Sequence, residues 1–292
     1  MRASGRSLPN PASAFLAERV RAFLRNLPRS FAGEDEAIHD LRVSGRRLRV
    51  VIPLVARPGK RRRVRRLLRG LRRVIRAAAT SRDLDVALTL FDEGVLSRDS
   101  ASVEVHRRLR SARRRAHRRM TEAFLAVDLS RVRAGLEEVL ARGTEEPFAV
   151  LLRLGRAKER EGETLVSNLQ ALGERFDPLA LHRLRRRVRR LRYMAELGEA
   201  HLSASAGAAK EFKRVQEILG EMHDAWVLAE WLRDQGRRWE RRGESLLAGA
   251  ATRYARAFRR RARESHARFL GMGPQALLRS ALDRVGRNVS AA

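Results

Sequence analysis

The feature that most constrains this chain is a helical period that almost never lapses. Between residues 61 and 79, Val64, Leu67, Leu68, Leu71, Val74, Ile75 and Ala78 recur at intervals of three and four. That spacing gathers apolar side chains on one side of an α-helix. Similar stripes run through nearly every long segment, and neither two-residue alternation nor hairpin signals interrupt them. The expected fold class is all-α. Expected helices cover residues 11–26, 36–56, 61–79, 83–93, 101–127, 131–142, 148–173, 178–199, 206–220, 223–241 and 245–270. Hydrophobic residues make up 43% of the 292 positions, enough to fill a buried core.

The chain also repeats itself. At an offset of 143, His39, Arg42, Arg46, Arg47 and Arg49 meet His182, Arg185, Arg189, Arg190 and Arg192. At an offset of 141, Arg69, Arg72, Arg73 and Val74 meet Lys210, Lys213, Arg214 and Val215, and Asp83 meets Asp224. At an offset of 146, Arg107, Arg110 and Arg114 meet Arg253, Arg256 and Arg260. Three blocks in the same order imply two helical halves, residues 10–127 and 147–271. A connecting helix or linker at 128–146 would join them, and residues 272–292 would form a C-terminal tail. Tandem halves of this kind pack about a pseudo-two-fold axis, which brings repeated residues together.

The first block reads "IHDLRVSGRRLRV", residues 38–50, and its counterpart "LHRLRRRVRRLRY", residues 181–193. At about 100° per residue, His39, Arg42, Arg46 and Arg49 fall within roughly 80° of one another. Leu41, Leu48, Ile52 and Val55 occupy the neighbouring arc, so the basic stripe flanks the core and can face a groove between helices. Arg62, Arg66 and Arg76, opposite the core of their helix, should face solvent instead. A solvated basic face is the ordinary explanation of an arginine run. It gives no reason for one spacing to recur in both halves, nor for a histidine at the head of each stripe. Carboxylates near the stripes are also sparse, and Asp83 and Asp224 are expected to orient arginines through salt bridges. An external anion is the simpler counterion.

Charge narrows the partner. Lys plus Arg total 64 against 34 for Asp plus Glu, a formal net charge of +30. Such a chain repels itself until a polyanion neutralises it, which points to nucleic acid, an anionic membrane surface or inorganic polyphosphate. The longest apolar run, "VVIPLVA", is far short of a bilayer span. The segment "MRASGRSLPNPASAFLAERVRAFL" lacks an apolar targeting core. No cysteine is present, which excludes thiolate metal sites. The reading is of a soluble cytoplasmic protein without membrane insertion.

Motifs that would carry chemistry are missing: there is no Walker A loop, GxGxxG, HExxH or GxSxG. The histidines lack metal-ligand spacing, so neither metal nor cofactor is expected. "HD" at His39–Asp40 and His223–Asp224 would fit a metal-dependent phosphohydrolase only with further clustered ligands, and arginines stand there instead. Nucleic-acid binding is the main alternative function. Aromatics are only 5% of the chain and are not interleaved with the stripes, which disfavours a stacking platform.

The two stripes, together with "VQEILGEMHDAWVLAEWL" at 215–232, resemble the CHAD family, the conserved histidine α-helical domain. The resemblance covers about residues 10–270. It implies a tandem pair of four-helix bundles that binds inorganic polyphosphate, often at polyphosphate granules, and acts by binding rather than turnover. Carried over by position, the contacts would be His39, Arg42, Arg46 and Arg49, with His182, Arg185, Arg189 and Arg192. The next helix of each half would add Arg69, Arg73, Lys210 and Arg214. The third repeated block extends the expected contacts to Arg110, Arg114, Arg256 and Arg260. Some relatives carry a fused triphosphatase with an E-x-E-x-K signature, and "GEDEAI" lacks its lysine, so this reads as a stand-alone module. His223 departs from the small polar residue more usual there, and "TSRDLD" is looser still.

Overall fold

Helix boundaries follow local chemistry. The structure, a computed structural model, describes residues 10–59, 61–95, 99–201 and 207–285. Among these residues lie eleven α-helices. They are α1 (Pro11–Phe31), α2 (Asp35–Val55), α3 (Arg61–Ala77), α4 (Ala79–Gly94), α5 (Ser100–Leu125) and α6 (Leu129–Arg142). There follow α7 (Pro147–Leu172), α8 (Pro178–His201), α9 (Ala208–Glu240), α10 (Ser245–Gly271) and α11 (Pro274–Arg284). β-pairing among the described residues is confined to an isolated bridge between Ala56 and Thr144. Asn10, Asp99 and Asp128 cap α1, α5 and α6 by accepting from the N–H groups of Ala12, Ser102 and Arg131. Proline opens α1, α7, α8 and α11, where its missing N–H costs nothing. Gly33, at φ +86°, reverses the chain between α1 and α2 in a conformation other residues resist.

Two elements differ from expectation. The segments expected at 206–220 and 223–241 are one helix, α9, of 33 residues. Gly220, which suggests a break, is buried mid-helix. A Cβ there would stand 3.3 Å from Arg185 Nη2, so this glycine lets a guanidinium pass close to the backbone. The expected tail contains α11, whose Leu278 and Ala281 are buried against the rest of the fold. Residues 286–292 of that tail lie outside the described ones.

Hydrophobic packing forms two clusters, and each draws on both ends of the sequence. The larger contains Leu41, Leu48, Ile52 and Val55 of α2 and Leu181, Leu184, Val188 and Leu191 of α8, all essentially inaccessible to solvent. The smaller joins α4 and α5 to α10 and the C-terminal part of α9, through residues such as Phe91, Leu109, Leu232 and Phe258. Helix α9 contributes Phe212, Val215, Leu219 and Ala225 to the first cluster and Leu228, Leu232 and Trp239 to the second. Its two cores meet near residues 223–228, and there the candidate site lies.

Helix α2 is held in place by close approach at Gly45, where a Cβ would lie 3.0 Å from Ile75 Cγ1 and 3.1 Å from Phe23 Cε2. Gly45→Leu should therefore cost about 1–3 kcal/mol by overpacking, measured by urea unfolding. Gly155→Ala, where no atom lies within 4 Å of the added Cβ, should gain up to about 1 kcal/mol from helix propensity.

Candidate functional site

Helices α2 and α8 pack their leucine stripes into one core, so the basic stripe beside each faces the same cleft. Arg42 reaches α3 and α4: Nη1 donates to the Ile75 carbonyl at 3.3 Å, and Nη2 stands 3.8 Å from Asp83 Oδ1. In the equivalent place on α8, Arg185 Nη1 stands 3.6 Å from Asp224 Oδ1 of α9. Both aspartates thus stand beside the arginines the sequence assigns them to orient. Neither ion-pair distance is a hydrogen bond. Arg42 Nε and Arg185 Nε are each buried with no acceptor. A guanidinium carries five donors in a fixed fork, and these two leave donors unmatched at corresponding positions. Arg46 Nε donates to the Arg42 carbonyl at 3.1 Å, and its guanidinium is close enough to feel Arg185 and to be felt by Arg189.

Crowding of like charge is felt in the acidities. Burial, and then the charges of Arg46, Arg185 and Arg42, bring the Arg189 guanidinium down to about 9. Burial and Arg46 bring Arg42 down to about 10, and Arg46 is lowered chiefly by burial as well. His39 is lowered by burial and by Arg82. His182 is lowered by burial and by Arg185. His182 Nδ1 lies 3.4 Å from His223 Nδ1, and burial together with Arg185 and His182 brings His223 down to about 3. All three imidazoles are therefore neutral at pH 7. Burial raises Asp224, against the pull of Arg185 and with the help of Asp83. Cations of this kind, desolvated and short of acceptors, bind an anion by supplying preorganised donors and charge together.

A separate clasp fixes the two basic helices in register. Arg47 of α2 donates bidentately to Glu196 of α8, from Nε at 2.9 Å and Nη2 at 3.1 Å, and its guanidinium lies 5.4 Å from the centre of the Tyr193 ring. Arg192 Nε donates to the same carboxylate at 3.0 Å. Arg192, an expected contact, is thus committed to positioning.

The structure brings His39, Arg42, Arg46, His182, Arg185 and Arg189 together and distributes the other expected contacts elsewhere. Arg49 is exposed and senses Arg72, Arg76, Arg186 and Arg190 across α3 and α8. Arg69 and Arg73 line a separate pocket between α3 and α6 with Arg66 and Arg131. Lys210 and Arg214 lie on the exposed side of α9, and Arg110 and Arg256 are exposed on α5 and α10. Arg114 lines a pocket between α5 and α9. Arg260 stands 3.8 Å from Glu264 beside Phe258. Sequence reasoning missed Arg82 and the pairing of His223 with His182. Arg82 was legible in "SRDLD", directly before Asp83. Among the described residues no three His, Cys, Asp or Glu side chains group as metal ligands, and no helix is long and apolar enough to cross a membrane.

The CHAD domain family model matches residues 14–233. The crystal structure of the CHAD domain from the plant Ricinus communis superposes with a TM-score of 0.66 at 19% identity, covering 97% of this chain and 96% of that one. PptA from Streptomyces chartreusis superposes with a TM-score of 0.63 at 20% identity, covering 89% of this chain and 98% of that one. At such identities the two structures speak to the fold alone. No curated protein sequence matches.

Asp83 and Asp224 compete with an incoming anion for Arg42 and Arg185. Replacing both by Asn should lower the melting temperature of the free protein and tighten binding of inorganic triphosphate several-fold. Calorimetry and thermal melts with and without triphosphate check both signs. The histidines give a pH dependence. Held neutral by burial and neighbouring cations, they gain protons when an anion offsets those cations, so binding takes up protons and strengthens from about pH 8 to about pH 6. Calorimetry in buffers of different ionisation enthalpy counts the uptake. It should shrink in His182→Gln and vanish when His39, His182 and His223 are all glutamine.

Proposed function

Because the chain belongs to the CHAD domain family, we propose that it binds inorganic polyphosphate across the cleft between α2 and α8. The observation that carries this reading is the set of four half-buried guanidiniums, on Arg42, Arg46, Arg185 and Arg189, faced by only two carboxylates. A chain of phosphates carries one charge per unit. Successive units would meet the forks of Arg42 and Arg46 from one helix and Arg185 and Arg189 from the other. Arg82 and the three histidines would line the entry. Arg49, with Arg72, Arg76, Arg186 and Arg190, would continue the positive track over the exposed faces of α3 and α8. Because most of the groups facing the polymer are guanidinium donors, the expected role is to hold it rather than cleave it. Association with polyphosphate granules in the cytoplasm would follow from that affinity.

Release of counterions should dominate the binding free energy, by the argument that holds for nucleic acids. Long-chain polyphosphate should therefore bind far more tightly than orthophosphate or pyrophosphate, and weaken steeply with salt. Calorimetric titration at two salt concentrations tests this, and equal affinity for orthophosphate and long chains would sink it. Charge reversal at Arg46 and Arg189 should cost at least tenfold more affinity than reversal at the exposed Arg62 and Arg66. Equal losses would reduce binding to diffuse attraction by the net charge.

A further inference from the structure

Polyphosphate leaves one part of the molecule unexplained. Between α4, α5 and α9 lies a pocket of about 350 Å³ whose floor is apolar: Leu84, Ala87, Ala116 and Leu228 are buried beneath it, and the partly exposed Trp231 lines it. Arg115, Arg119 and Arg238 line it too, with Gln235. Arg115, Gln235 and Arg238 are shared with a second pocket of about 560 Å³, lined further by Arg114 and Arg242. The two pockets are thus continuous, one apolar at its base and the other lined chiefly by arginines. Arg114, Arg115, Arg119, Arg238 and Arg242 have no carboxylate partner among the described residues. Trp231 is held from behind by Trp239, edge to face at 6.4 Å between ring centres.

A polymer of phosphate has no apolar surface, so it gains nothing from that floor. A molecule with a flat ring system at one end and phosphates at the other would use both pockets. We propose that this groove binds a free nucleoside phosphate, with the base over the Leu84–Leu228 floor against Trp231 and the phosphates among Arg115, Arg238 and Arg242. The first pocket lies within the volume range of small-ligand sites, about 300–1,000 Å³. Its arginines supply bidentate donors for phosphate. The Gln235 amide, with both donor and acceptor, stands between the two pockets where it can read the edge of a base or a ribose hydroxyl. The pocket adjoins the α2–α8 cluster at Asp83, which lines its rim beside Thr80 and stands 3.8 Å from Arg42, but none of the arginines or histidines of that cluster takes part.

The test sets ATP against inorganic tripolyphosphate, which carries similar charge without a base. On the wild-type chain ATP should bind about tenfold more tightly, within what contact between a base and an aromatic side chain supplies, and should quench tryptophan fluorescence. In Trp231→Ala the advantage should vanish. It should vanish equally in a leucine variant of Ala112, a further lining residue of the pocket: Ala112→Leu fills the pocket and leaves every arginine in place, while tripolyphosphate and long-chain polyphosphate bind either variant as before. Equal affinity of ATP and tripolyphosphate for the wild type would overturn the proposal, and so would an ATP advantage that survives both substitutions. A variant that no longer binds long chains has lost its fold, and the wild-type comparison then decides. If long chains fail to bind the wild type, the α2–α8 reading falls while the ATP comparison still stands.

Discussion

Like charges are held together here by a hydrophobic core they do not belong to. Leu41 and Leu48 of α2 and Leu184 and Leu191 of α8 are buried in one cluster, and each buried leucine stabilises the fold by about 1.5–3 kcal/mol. The arginines on the neighbouring arc of each helix have no choice of neighbour. Where α2 goes, Arg42 and Arg46 follow, and they arrive beside Arg185 and Arg189 with few carboxylates to separate them. Repulsion at this seam is offset by packing and by the Arg47–Glu196 clasp, both set back from the cleft. The same arrangement explains the unmatched Nε groups of Arg42 and Arg185. Helix packing places them, and their own hydrogen bonds do not.

How much of this was legible depended on how crowded each helix face is. On α2 the basic and apolar arcs are adjacent and distinct, so the period alone placed His39, Arg42 and Arg46 beside a groove, although Arg49, expected with them, is exposed. Helix α3 is different, because arginine fills nearly its whole polar side. A shift of one residue, about 100°, decides whether a side chain meets α6 or α2. Arg69 and Arg73 meet α6, whereas Arg72 and Arg76 face Arg49. Nothing in a run of arginines marks that phase. Arg192 and Glu196 form an i,i+4 pair visible in "RYMAE". Its capture of Arg47 from another helix required the fold.

Gly220 shows the limit of reading residues singly. As a weak helix former it suggests a boundary, and splitting α9 there separates His223 from the residues it joins. In the structure the glycine is what allows Arg185 to lie against α9, one turn before Asp224. A residue that lowers local helix propensity thereby brings the second stripe to its carboxylate. Local preference and tertiary need conflict at this position, and such conflicts concentrate where a protein does something besides fold.

The continuity of α9 also bears on how the molecule comes apart. Its 33 residues run about 50 Å, with Phe212 anchored in one hydrophobic cluster and Trp239 in the other. A helix shared by two cores transmits the loss of either one to its neighbour, so the clusters form one cooperative unit rather than two independently melting domains. Amide protons along the middle of α9, around Ala225 and Ala229, are then exposed only when the whole fold opens. A polyanion seated beside them would slow that opening for both clusters at once.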